Sequence, residues 1–106
     1  MKVFRLDDMT KGWFVGDFEP AVLRSKSAEV AVKTYDAGTV ESRHMHKIAQ
    51  EVTLILFGEA RMSDRLYRAG DIVLIEPGEA TDFEALTDVT TIVVKLPSVA
   101  GDKYEC

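Results

Sequence analysis

Residues 38–58 read GTVESRHMHKIAQEVTLILFG, and the rest of the chain is best read outward from them. The second half, 51–57, is rich in β-branched and aromatic residues and reads as a strand. Gly58 ends it. The first half carries His44 and His46, the only two histidines in the sequence. In an extended strand residues i and i+2 point to the same face, so both imidazoles can aim into one cavity. A short turn over 47–50 brings Glu51 in on the next strand. Two neutral imidazoles and one carboxylate are a natural set for a first-row divalent ion. The alternative is a polar lining that fills a barrel mouth without metal.

The flanking sequence repeats the strand signal. Residues 29–35 alternate, with Val30, Val32 and Thr34 on one face and Ala31 and Lys33 on the other. Asp36-Ala37-Gly38 is turn material, and 43–46 reads as a short strand. Ser63-Asp64-Arg65 forms a tight hairpin, with Asp64 suited to positive φ. Ala69-Gly70-Asp71 and Glu76-Pro77-Gly78-Glu79 are turns on either side of a buried strand at 72–75. Strands at 81–85 and 90–96 complete the series, and Pro97 blocks further pairing. No part of 29–96 sustains an apolar 3.6-residue period. Short strands with Gly, Pro and Asp turns every ~8–12 residues mean an all-β sandwich or barrel. The first 28 residues are expected to be an added edge strand, an arm to a partner subunit or a lid. Trp13, Phe14 and Phe18 are read there as core or interface, and the tail from 98 onward as irregular.

Within the strand at 51–57, Glu51, Thr53, Ile55 and Phe57 share one face, expected to be the barrel interior, with Phe83 as a further lining residue. Val52, Leu54 and Leu56 face the other way and need a cover, so a homodimer is expected. Thr81 and Glu79 share a strand face near the turn. They are candidates for a fourth ligand or for positioning water or substrate. Asp82 has the opposite parity and is expected to face outward unless a bulge shifts it.

Bulk properties narrow the function classes. At 106 residues the chain fits a single domain. A formal net charge of −5 disfavours nucleic acid and anionic membrane partners. No apolar run approaches a transmembrane span, and no signal-peptide pattern opens the sequence. The single cysteine, Cys106, allows no intramolecular disulfide, and a cytoplasmic location is expected.

The spacing Gly38, five residues, His44, one residue, His46, four residues, Glu51, six residues, Gly58 resembles the first conserved motif of the cupin superfamily. The second motif is matched in part. Gly70 and Gly78 are in place, Glu76 and Pro77 stand around the usual proline, and Thr81 occupies the position of a fourth histidine ligand. Ala85 stands where an asparagine is usual. The segment 75–83, with Pro97-Ser98-Val99, is similar to small single-domain, RmlC-like cupins of bacterial type. The resemblance implies a jelly-roll β-barrel (a double-stranded β-helix) over about 29–96. It also implies a divalent ion, Fe, Mn, Ni or Zn, held by His44, His46 and Glu51. Two functions follow as expectations. One is a metal-dependent isomerase, epimerase, lyase or dioxygenase acting on a sugar or sugar acid. The other is a non-catalytic module binding a carbohydrate or small acid at a degenerate metal site.

Overall fold

Turn chemistry cuts this chain into short strands. At Ser63 and Asp64, φ is 47° and 65°, which a two-residue hairpin needs to match the strand twist. Gly58 has φ of 90°, and a Cβ there would lie 2.1 Å from the Asp88 carbonyl oxygen. Only glycine fits.

The computed structural model describes all 106 residues. After a 3-10 turn at Leu6–Asp8 come strands β1 (Trp13–Gly16), β2 (Leu23–Arg24), β3 (Glu29–Tyr35), β4 (Val40–Met45), β5 (Gln50–Phe57) and β6 (Glu59–Met62). They are followed by β7 (Arg65–Arg68), β8 (Ile72–Ile75), β9 (Thr81–Ala85), β10 (Val89–Leu96) and β11 (Tyr104–Glu105). One sheet has the order β2-β1-β3-β10-β5-β8, and the other β11-β4-β9-β6-β7. No helix is long and apolar enough to cross a membrane.

The two sheets pack face to face. Ile55, Ile75 and Val89 from the first meet Ala60, Met62, Phe83 and Ala85 from the second in one buried cluster. This cluster fills one end of the barrel. The other end is a cavity of about 430 Å³.

Several sequence expectations need correction. Ile55 lies inside the barrel at 0% exposure, but it sits in the closed-end core and does not line the cavity. Phe57 is not inside; it is 61% exposed. The register of β5 on β10 pairs Ile55 with Thr91 but Phe57 with Thr90. A bulge at Leu56 therefore reverses the alternation, because an extra residue swaps faces. The amino-terminal segment supplies β1 and β2 as edge strands. Trp13 and Phe18 line the cavity, so they are neither core nor interface alone. The tail is ordered: Tyr104 pairs with Met45 and Glu105 with His44.

The outward face of the larger sheet is apolar. By register, Ile72, Leu54, Ile92 and Val32 form one row across β8, β5, β10 and β3. Leu74, Val52, Val94 and Val30 form the next, and Val15 and Leu23 extend it across β1 and β2.

Candidate functional site

The two histidines are positioned by different elements. His44 lies on β4 opposite Thr81 of β9. His46 is the first residue past β4, in the turn that leads to β5. That turn is held by Asp102, a tail residue only 4% exposed. Its carboxylate accepts hydrogen bonds from the backbone N–H of Lys47 at 2.9 Å and of Ala49 at 2.9 Å. It also accepts one from Ile48, at 3.3 and 3.2 Å to the two oxygens. Burial pushes the Asp102 carboxyl up, but these amide bonds together hold it below the usual carboxylate range.

Asp102 also holds the His46 ring, whose Nδ1 donates to the Asp102 carbonyl oxygen. The other nitrogen, Nε2, lies 3.4 Å from Glu51 Oε1. With Nδ1–H committed, only the imidazolium can also donate from Nε2. Accordingly the Glu51 contact raises the His46 pKa, against the opposing effect of burial. Glu51 is pushed up by burial, but its bonds to His46 and to the Thr53 hydroxyl, at 2.9 Å, leave it below the ordinary value. The two form a buried contact facing the cavity, an ion pair when the imidazole is protonated.

His44 is the neighbour of His46 in the same cavity. Its Nδ1 is 2.9 Å from the Ser42 carbonyl oxygen, and its ring centroid is 5.4 Å from that of His46. No three His, Cys, Asp or Glu side chains converge into a group that could hold a metal ion. The donor chemistry is that of a metal set, and His44, His46 and Glu51 all line the same cavity.

Thr81 and Glu79 border the cavity with their polar atoms used locally. The Thr81 hydroxyl donates to the Asp82 carbonyl at 2.9 Å and accepts from the Ser63 hydroxyl at 3.0 Å. Glu79 Oε1 accepts from the Glu76 N–H at 2.8 Å, closing the Pro77-Gly78 turn. Asp82, expected to face outward, is exposed at the cavity rim and accepts from the Ser63 N–H at 2.8 Å. The β4–β9 register is irregular between Glu41 and His44. Thr53 and Phe83 line the cavity as expected.

The sequence reading missed the opposite wall. Glu29, Lys33 and Tyr35 of β3, Glu41 of β4 and Lys95 of β10 all line the cavity. Lys33 Nζ is 3.9 Å from Glu41 and Lys95 Nζ is 3.7 Å from Glu29. Both ammonium groups lie over the Trp13 ring, at 5.8 and 5.2 Å from its centroid. Burial lowers the Lys33 pKa, although Glu41 and Glu51 oppose it. Tyr35 donates to Glu41 at 3.1 Å, and burial together with that carboxylate pushes its pKa far up, so it stays a neutral phenol. Parity was the available signal: Glu29, Ala31, Lys33 and Tyr35 share one face of β3, and Ala31 is fully buried.

No family model matches the sequence, and no curated protein matches it. Solved structures do match in shape. A conserved protein with a double-stranded β-helix domain from Klebsiella pneumoniae is similar, with 21% identity and a TM-score of 0.70. That match covers 94% of this chain and 88% of the other. An RmlC-like cupin from Shewanella frigidimarina matches at 18% identity and a TM-score of 0.66, over 71% and 70% of the two chains. The DMSP lyase DddQ from Ruegeria pomeroyi matches at 21% identity and a TM-score of 0.73, over 88% of this chain but only 49% of the lyase. The chain has the cupin fold, a double-stranded β-helix with a polar cavity at one end.

Proposed function

We propose that the barrel cavity binds a small polar metabolite, a sugar or sugar acid, with His46 and Glu51 as the central polar pair. The observation that carries this reading is the pair itself, buried and facing a cavity of about 430 Å³. Small-molecule sites run from about 300 to 1,000 Å³. Burying polar groups is costly unless they are hydrogen-bonded, and here the Asp102 carbonyl and the Thr53 hydroxyl bond them. Ligand-observed NMR with a panel of sugars, alditols and sugar acids tests the proposal. Saturation transfer to at least one compound, lost in His46→Ala and Glu51→Gln, is expected. A folded protein that binds nothing in the panel would sink it. Chromatography after incubation separates a binding module, which returns the compound unchanged, from an isomerase, epimerase or lyase.

A second reading loads His44, His46 and Glu51 with Fe, Mn, Ni or Zn, in the manner of a metal-dependent cupin enzyme. It is favoured by the hydrogen bonds of both Nδ1 atoms to backbone carbonyls. Such bonds fix a ring and leave Nε2 for a metal. Bound there, the ion would act as a Lewis acid on a substrate oxygen. Elemental analysis of purified protein beside the His44→Ala/His46→Ala variant decides it. Near-stoichiometric metal lost in the variant supports this reading, and protein that refuses all four ions defeats it.

A further inference from the structure

We propose that Lys33 is a carbonyl-binding amine, which forms an imine with a small oxo acid held in the barrel cavity. The inference rests on the proposed metabolite-binding role of that cavity and adds a nucleophile to it. An open-chain sugar acid is one ligand of this class, since it carries both a carbonyl group and a carboxylate.

The geometry isolates the Lys33 amine inside the barrel. Its side chain is 20% exposed and borders the cavity. The rings of Trp13 and Tyr35 flank Nζ, with centroids 5.8 and 5.6 Å away. The facing carboxylate, Glu41, comes no closer than 3.9 Å, beyond hydrogen-bond range. A buried ammonium without a close acceptor is costly, and losing the proton relieves that cost. Lys95 and Lys103 line the same cavity and add positive charge beside it. Burial lowers the Lys33 pKa and these two charges lower it further, while Glu41 and Glu51 oppose the shift without reversing it. Desolvation and neighbouring cations are means by which a lysine becomes a nucleophile.

The neighbours also supply what the step needs. Nζ of the free amine adds to the carbonyl carbon. The carbonyl oxygen then leaves as water with both amine protons, so that a C=N bond replaces C=O. Glu41 is placed to carry those protons. Tyr35 donates to its Oε1 at 3.1 Å, which leaves Oε2 facing Lys33. Lys33 and Lys95 each face a carboxylate, whereas Lys103 pairs with none. The Lys103 ammonium is therefore free for the carboxylate of the ligand.

Reductive trapping tests the assignment. The chain is incubated at neutral pH with sodium cyanoborohydride, which reduces an imine to a stable secondary amine, and peptide mass mapping locates the adduct. Glyoxylate and glycolaldehyde serve as probes, because both are two-carbon aldehydes and only the first has a carboxylate. Glyoxylate is expected to label Lys33 ahead of the exposed Lys2, Lys26 and Lys47, and by a wider margin than glycolaldehyde does. Lys103→Gln should remove the difference between the two probes. Glu41→Gln, folded by circular dichroism, should slow labelling of Lys33 at least about tenfold and leave Lys2 unchanged. Lys33→Arg keeps the charge and should show only the background at the exposed lysines. Labelling of Lys33 no faster than that of Lys2, or equal in wild type and Glu41→Gln, would overturn the assignment. Ligand-observed NMR with pyruvate, without reductant, separates the amine from the cavity. Saturation transfer lost in His46→Ala, with no adduct at Lys33, would sink the amine and leave the cavity's role standing. Pyruvate that neither binds nor labels sinks the amine as well, and the sugar panel alone then decides the wider role.

Discussion

The inner and outer faces of the six-stranded sheet are made by the same strands and differ by one residue of phase. Outward, β3, β10, β5 and β8 present valine, isoleucine and leucine in registered rows. Inward, the same strands present Glu29, Lys33, Tyr35, Lys95, Glu51 and Thr53 near the cavity, and turn apolar only at the closed end. The usual arrangement for a two-faced sheet is apolar inside and polar outside. Its inversion here marks the interior as a site and the exterior as a surface in need of a cover.

The comparison can be broken most forcefully at two positions of β5. Ile55 fills the closed end at 0% exposure, while Phe57, beyond the bulge, is 61% exposed. Ile55→Ala should cost about 3–4 kcal/mol of unfolding free energy, from lost transfer energy and the cavity left behind. Phe57→Ala, although it removes a larger side chain, should cost less than about 1 kcal/mol. Urea denaturation of both variants checks this. Equal losses would mean that the alternation runs unbroken and the bulge is wrong.

The next effect lies at the tail. Asp102→Ala removes the acceptor for three backbone N–H groups of the His46 turn. Leaving buried donors unpaired costs about 1–3 kcal/mol, and about 3 kcal/mol is expected here because several donors share one acceptor. Asp102→Asn keeps one carbonyl oxygen and should lose about half as much. A loss under about 1 kcal/mol for Asp102→Ala would show that the turn holds itself without the tail. The inner-face site would then owe nothing to the Asp102 carboxylate.

These residues show where sequence reading succeeds and where it stops. The strands between 29 and 96 were legible because period-two alternation and turn residues are local signals. The His44, His46 and Glu51 spacing was legible as a pattern, and the three side chains line one cavity, with His46 and Glu51 in contact. Phe57 misled because a bulge adds one residue without leaving a compositional mark. Asp102 was invisible because its partners are more than fifty positions away, at Lys47, Ile48 and Ala49. Alternation separates Lys33 from Val30 and Val32, but nothing local says which face of β3 turns inward. Only the register across four strands shows that the valines face out.

Gly58 gives a smaller effect that sharpens the bulge. With φ of 90° and the Asp88 carbonyl oxygen 2.1 Å from an added Cβ, Gly58→Ala must move backbone at the end of β5. A loss of about 2 kcal/mol is expected, from left-handed strain plus the clash. Thermal melting reads it. A loss under about 0.5 kcal/mol would place the end of β5, and with it the change of face at Leu56, elsewhere.

The smallest effect is the one that isolates the outer face. Ile72 is 68% exposed, and threonine keeps the β-branched shape that a strand favours. In a dilute solution of single chains Ile72→Thr should therefore change stability by less than about 0.5 kcal/mol. Concentration is the sharper variable. If a second copy covers this face, the wild-type melting temperature rises with protein concentration by mass action. The variant, having lost part of the contact, should show a flatter dependence while its dilute limit matches the wild type. Parallel curves for the two proteins would mean that Ile72 lies outside any contact. Flat curves for both would leave the apolar rows as surface that this chain simply exposes.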